Sequence, residues 1–352
     1  MLSKAVAVSL DVETRVDNLD NGGWQTKLRS VEGDDFKRCQ FPGNGEIGIC
    51  GSQDEVTITV TAKGLSGNMQ TNAAAFEAWA LVLLFHCRVK HIKIGLAPDA
   101  EKLAGGHVER FLYRLHRFHK LFPDRIEPDS KLQNSARALN GTIRRVLNQP
   151  STDRVPIEEE KDDRFAAVYT PSKTVSESNL EKALECSRSF RENFALKKVM
   201  RQWPVGLFEG RVAKNKKNSL FTGGKSAIDL IGISDNTLVL FELKTHLNRN
   251  VGAISELLFY ASVMRDAIRG DFQFEDQSLP KNCAVTRGDI LRCSNIRAVL
   301  IAPRTMHPLI QNPAIFRELN AALTQHWRDK PVTFETAQIK NIPSDPDGDF
   351  SF

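Results

Sequence analysis

Three ionisable residues stand where an apolar strand should exclude them. In SAIDLIGISDNTLVLFELKT (226–245), Asp229 interrupts one apolar run, and Glu242 and Lys244 interrupt the next. The runs are joined by the short polar turn Ser234-Asp235-Asn236, so the spacing predicts a β-hairpin. Side chains two apart on a strand share a face, which sets Glu242 beside Lys244 and turns Phe241 and Leu243 away. Charges held on such a surface need partners, ligands or hydrogen bonds. Asp229 on the neighbouring strand supplies one partner and a divalent cation would supply the rest. Two carboxylates suit a hard ion such as Mg²⁺, which keeps several waters and takes phosphate oxygens. Such an ion lowers the pKa of a bound water and neutralises charge on a scissile phosphate. Lys244 would orient or deprotonate the attacking water, or stabilise the transition state. The backbone carbonyl of Leu243 is a further candidate ligand. The plainer alternative is a Lys244–Glu242 salt bridge on a half-exposed strand. Against it, the flanking residues read as a strand covered on both faces.

The elements that must position these residues follow from periodicity. Asn179–Trp203 reads as one amphipathic helix, with Leu180, Ala183, Leu184, Phe190, Phe194 and Val199 near one face. VGLFEGRVAK (205–214) reads as a first strand, and the hairpin gives the second and third. Asn250–Arg269 reads as a helix, IRAVLIAP (296–303) as a buried strand, Ala314–Gln325 as a helix and VTFETAQI as a last strand. The tail SDPDGDFSF reads as loosely ordered.

An Asp on one strand and an acid-x-Lys on the next, in the order α-β-β-β-α-β, resembles the PD-(D/E)XK, or restriction-endonuclease-like, nuclease superfamily. The matching positions are Asp229, Glu242 and Lys244, over about residues 176–303. Ile228 stands where the family name has Pro, a position that varies widely in the superfamily. The resemblance implies a restriction-endonuclease-like α/β core and phosphodiester hydrolysis dependent on Mg²⁺ or Mn²⁺, usually of DNA. It also implies a Glu on the first helix, for which Glu181 is the candidate, with Glu185 and Glu177 behind it. Ser178 and Glu181 fit a capping box equally well, which would give Glu181 a purely local role. Glu159-Glu160-Lys161 fits the same triplet but has no strand around it. On the helix after the hairpin, Ser255 is placed to face the site, and Tyr260 fits either the site or packing with its hydroxyl at the surface. The competing class of function is a nuclease-derived module that binds nucleic acid or serves structure without catalysis; the intact trio argues against decay.

Arg211, Lys214, Lys216, Lys217 and Lys225 precede the strand bearing Asp229. They are candidates for contacting a nucleic-acid backbone, or form a solvated hairpin tip. Residues 105–150 carry nine bases against four acids, with His107, His116 and His119 among them. That is either a nucleic-acid face or an ordinary solvated helix surface. Arg114 and His119 have the RxxxxH spacing of some ribonuclease helices.

The 352 residues suggest two domains. Residues 1–150 read as a mixed α+β domain for recognition, regulation or assembly, through a homodimer or a partner protein. Its expected strands are KAVAVSLDVETRV, EVTITVTAK and HIKIGLA, and its expected helices are 72–87, 107–121 and 133–147. STDRVPIEEEKDD, with six acids and two bases, opens a linker over 151–175; the nuclease domain spans 176–340 and a tail 341–352. The net charge of +5 permits a polyanionic partner without demanding one. Six scattered cysteines read as reduced thiols of a cytoplasmic protein. The longest apolar stretch, Ala73–Cys87, contains Glu77 and falls short of the roughly 20 residues a membrane span needs, so no membrane segment is expected.

Overall fold

The computed structural model describes residues 18–32, 41–68, 71–101, 103, 106–132, 136–150, 176–212, 218–221, 226–245, 250–276, 279, 283–303, 308–342 and 350–352. The strand expected at KAVAVSLDVETRV and the linker at 151–175 lie outside them.

The first half runs α1 (Asn21–Glu32), β1 (Ile47–Gly51), β2 (Glu55–Val60), α2 (Ala62–Ser66), α3 (Phe76–Phe85), β3 (His91–Leu96), α4 (Gly106–Leu121), β4 (Ile126–Pro128) and β5 (Arg145–Leu147). Strands β1 to β4 form one sheet in sequence order, antiparallel between β1 and β2 and parallel thereafter. The second half runs α5 (Glu177–Cys186), α6 (Arg188–Asn193), β6 (Lys198–Pro204), β7 (Leu207–Glu209), β8 (Ala227–Ser234), β9 (Thr237–Leu243), α7 (Gly252–Arg269), β10 (Gln273–Phe274), α8 (Arg287–Leu291), β11 (Asn295–Pro303), α9 (Pro308–Gln311), α10 (Ala314–His326) and β12 (Val332–Ile339). Its main sheet has the order β12-β11-β9-β8-β6. β6, β8 and β9 are an antiparallel meander, and β11 and β12 join in parallel. A small sheet, β10-β5-β7, takes strands from both halves. The chain is a mixed α/β protein.

Three elements differ from the sequence reading. The helix expected over Asn179–Trp203 stops at Ser187, whose hydroxyl accepts the Phe190 N–H at 3.1 Å and starts a new short helix. Ala195, at φ 53°, ends that helix, and Lys198–Pro204 becomes a sheet strand. Propensity yields there because β8 needs a backbone partner, and Val199, Met200 and Trp203 bury as strand residues. The strand expected over 205–214 shrinks to Leu207–Glu209 and pairs with β5 rather than with the hairpin. The helix expected over 133–147 is replaced by a single 3₁₀ turn at Arg137–Leu139 and by β5. Asn140 and Gly141 interrupt it: the Asn140 side chain accepts the Thr142 N–H at 3.0 Å, a local turn that competes with helix. The tail reading also changes. Residues 343–349 are not described, but Phe350 and Phe352 pack against Phe190 and Phe194, and the Phe350 N–H donates to the Ser189 hydroxyl at 2.9 Å.

The main sheet is covered on both faces. On one, α5 and α6 bring Leu180, Ala183, Leu184, Phe190 and Phe194 against Leu230, Val239, Phe241, Leu243, Val299 and Ile301. On the other lies α7, buried from Gly252 to Ile268. A helix buried all round needs cover on its far side too. Here α3 and α4 of the first half supply it, so a single apolar cluster extends from Trp24 to Phe334. Polar contacts cross the same junction. The Ser255 hydroxyl accepts the Ala78 N–H at 3.1 Å, and buried Asp266 accepts the Tyr113 hydroxyl at 2.7 Å and the Arg117 guanidinium at 2.6 Å.

Removing one member of a buried ion pair strands the other, at about 3–5 kcal/mol. Asp266→Ala is therefore expected to lower chemical-denaturation stability by about that much. Glu192→Ala, which loses an exposed i,i+4 pair with Arg188, should cost about 0.5 kcal/mol or less.

Candidate functional site

The expected hairpin forms, and it brings the trio together. Leu230 pairs with Phe241, so Asp229 lies across from Glu242 one step further along. Asp229, Glu242 and Lys244 are all buried, Glu242 completely. The Leu243 N–H donates to Asp229 Oδ2 at 2.8 Å, which ties the first carboxylate to the backbone between the other two residues. Lys244 Nζ is paired with Glu242 and lies 3.4 Å from Glu177 Oε1.

Two residues on α7 join the cluster. Glu256 is buried and shares a hydrogen bond with Glu242, and the Tyr260 hydroxyl donates to Glu256 Oε1 at 2.8 Å. Tyr260 is thus a buried member of the site and its hydroxyl is not at the surface. Ser255 faces α3 instead of the site. The sequence signal for Glu256 was a carboxylate four residues before Tyr260 in an otherwise apolar helix face, the spacing that brings two side chains together.

Electrostatics follow from this crowding. Burial, then the neighbouring Glu242, raise the Asp229 carboxyl well above the usual range, with Glu181 adding to the rise; Lys244 and the Leu243 N–H oppose it. Burial and Glu256 raise Glu242 in the same way. Burial alone would favour neutral Lys244, but Glu242, Glu256, Asp229 and Glu177 overrule it and hold the ammonium above the usual lysine range. The lysine is therefore charged, and the carboxylates outnumber it.

Glu181 lies beside this group. The helix cap is Ser176, whose hydroxyl accepts the Asn179 N–H at 3.2 Å, so Ser178 is inside the helix and the capping-box role for Glu181 does not form. Glu181 instead accepts the Gln202 amide at 2.7 Å and is buried, and desolvation pushes its carboxyl up to about 6. Glu185 is committed elsewhere: it takes the Arg201 backbone N–H at 2.9 Å and the guanidinium at 3.1 Å. Among the described residues no group of three His, Cys, Asp or Glu is already arranged to hold a metal ion. The donor chemistry nevertheless fits a hard cation. Asp229 and Glu242 are paired carboxylates whose mutual repulsion a cation would relieve, with Glu181 and the Leu243 carbonyl as the further donors of the expected set.

The basic candidates separate. Lys214, Lys216, Lys217 and Lys225 lie outside the described residues; Arg211 is exposed just past β7. The basic stretch in the first half divides: Arg110 and Arg114 are buried and Arg117 is held by Asp266, while Lys120, Lys131, Arg137 and Arg144 are exposed. Arg114 pairs with buried Glu77 and donates to the Ala74 carbonyl at 2.9 Å, so its spacing from His119 reflects packing and not a ribonuclease pair. A cavity of about 820 Å³ opens between β3, β4 and α4, lined in part by His91, His116 and His119. It belongs to the other sheet and does not touch the carboxylates. No helix among the described residues is long and apolar enough to cross a membrane.

No protein-family model matches the chain, and neither the curated proteins nor the solved structures hold a significant match to it.

A neutral isostere at Asp229 removes one of the mutually repelling charges. Because that carboxyl is raised in the fold, it costs nothing below its unfolded pKa, costs more as the pH rises from there, and costs its full amount above the folded value. Without metal, Asp229→Asn should gain about 0.5–2 kcal/mol at pH 8, and the gain should vanish as the pH is lowered; paired denaturation curves check both ends.

Proposed function

We propose that this chain is a metal-dependent nuclease of the PD-(D/E)XK kind, hydrolysing phosphodiester bonds, with DNA as the substrate. The observation that carries the reading is the buried cluster on one hairpin: Asp229 and Glu242 opposed across two strands, with charged Lys244 on the face of Glu242. A salt bridge alone does not explain it, because a lone pair leaves no reason for Asp229, Glu256 and Glu181 to crowd the same place at the cost of raised carboxyl pKa values.

The topology supports the same reading. Helix α5, the meander β6-β8-β9, helix α7 and parallel β11 follow the α-β-β-β-α-β order of a restriction-endonuclease-like core, with the trio on its second and third strands.

Asp229 and Glu242 would hold a Mg²⁺ or Mn²⁺ ion, with the Leu243 carbonyl and Glu181 completing the protein ligands. The ion would supply an activated water and charge neutralisation at the phosphate. Lys244 keeps a fixed positive charge beside that position, where it orients the attacking water and offsets charge developing on the phosphate. The Leu243 N–H holds one oxygen of Asp229, and the other oxygen would be the one to serve as a ligand. Tyr260 fixes Glu256 behind Glu242 and so sets the orientation of the second carboxylate. Arg211, with Lys214, Lys216, Lys217 and Lys225, would contact the nucleic-acid backbone.

Incubation with supercoiled, linear, single-stranded and branched DNA, and with RNA, should show Mg²⁺- or Mn²⁺-dependent cleavage of DNA. Asp229→Ala and Lys244→Ala should each lower the rate by at least about 100-fold. No cleavage of any substrate with any metal, or equal cleavage by the variants, would refute the assignment. Protons compete with a metal for raised carboxyls, so Mn²⁺ should raise the melting temperature more at pH 8 than at pH 5, below the Glu181 value of about 6.

A further inference from the structure

The main sheet loses its pleat at one place, and the break falls in two adjacent strands at once. Along β6, Val199 belongs to the α5 side of the sheet and Met200 to the α7 side. Arg201 returns to α5, where it meets Glu185. Regular alternation then requires Trp203 on the α5 side, yet it packs into the cluster on the α7 side. Along β8, Leu230 faces α5 while Ile228, two residues away, is also on the α7 side. Arg201 pairs with Leu230 and Trp203 with Ile228, so the step sits between them, at Gln202 and Asp229, and that pair is missing from the ladder.

Gln202 adopts φ 54°, the left-handed region that is uncommon for a side chain of its kind. Non-glycine residues held there are strained and collect at sites where the backbone conformation serves a local purpose. What the conformation does here is visible. Gln202 lies on the sheet strand across from Asp229, yet its amide reaches to α5 and donates to Glu181 at 2.7 Å. Gln202 is exposed while Glu181 is buried, so the contact joins the surface to the carboxylate cluster.

We propose that Gln202 is a positioning residue of the metal site: its amide fixes the orientation of the Glu181 carboxylate toward Asp229, and its left-handed backbone makes the paired step in β6 and β8 that brings both to one place. This rests on the metal-site reading above. The residue acts through Glu181 and holds no metal itself. Its amide nitrogen engages one Glu181 oxygen and leaves the other for the ion, as hydrogen-bond partners of metal-binding carboxylates do.

The test separates positioning from folding. Glycine adopts φ 54° without strain, and asparagine tolerates it but is one methylene shorter, so Gln202→Gly and Gln202→Asn keep the backbone and lose the reach to Glu181. Both are expected to melt no lower than wild type. Both should weaken Mn²⁺ binding, measured by calorimetry on the full chain, by about tenfold or more. In a Glu181→Ala background, Gln202→Gly should cause no further loss. Wild-type Mn²⁺ affinity in both variants, or an equal loss with Glu181 already removed, overturns the proposal while leaving the metal site standing. If wild type itself binds no Mn²⁺ and is indistinguishable from Asp229→Ala, the metal-site reading fails and the role of Gln202 fails with it.

Discussion

One ammonium group set among several buried carboxyls is the interaction on which the rest of this structure turns. Lys244 is buried among acids from four elements: Glu242 on β9, Asp229 on β8, Glu177 on α5 and Glu256 on α7. Ions taken out of water are expensive, and an unbalanced set is more so. The fold meets that cost by supplying hydrogen bonds from fixed places, the Leu243 N–H to Asp229, Tyr260 to Glu256 and Gln202 to Glu181. Acidic groups still outnumber the one base. That excess of acids over bases distinguishes the cluster from a single buried salt bridge.

Positioning that set demands a helix with no exposed side. Helix α7 lies between the main sheet and α3 and α4, and carries Glu256 and Tyr260 in its first half. The halves of the chain are consequently joined by a continuous apolar cluster, by the small sheet that mixes their strands, and by the buried contacts of Ser255 and Asp266. The first half thereby packs against the helix that carries Glu256 and Tyr260.

The hairpin and its trio were legible because their signals are local: a polar turn, apolar alternation, and ions placed where alternation forbids them. Strands β2, β3, β11 and β12 and helices α4, α7 and α10 were legible for the same reason. The edge strand β6 was not. Leu180 through Val199 keeps helical spacing, and only the need of β8 for a partner turns Lys198–Pro204 into strand. Misreading that segment hid Gln202, since a residue taken as part of a helix end cannot be seen across from Asp229. The inward turn of Arg114 and Arg117 was equally invisible, because their partners Glu77 and Asp266 lie 37 and 149 residues away. Glu256 was hidden for the opposite reason: an acid on a long helix looks solvated until the helix is known to be buried.

The clamp on Asp266 has a mechanical meaning. Glu256 and Asp266 are ten residues apart on one unbroken helix, a rod of about 15 Å at 1.5 Å per residue. One end touches the acids of the hairpin; the other is gripped by Tyr113 and Arg117 of α4. The helix that presents Glu256 to Glu242 is thus anchored at its far end by side chains of the first half, so the two halves share one mechanical element.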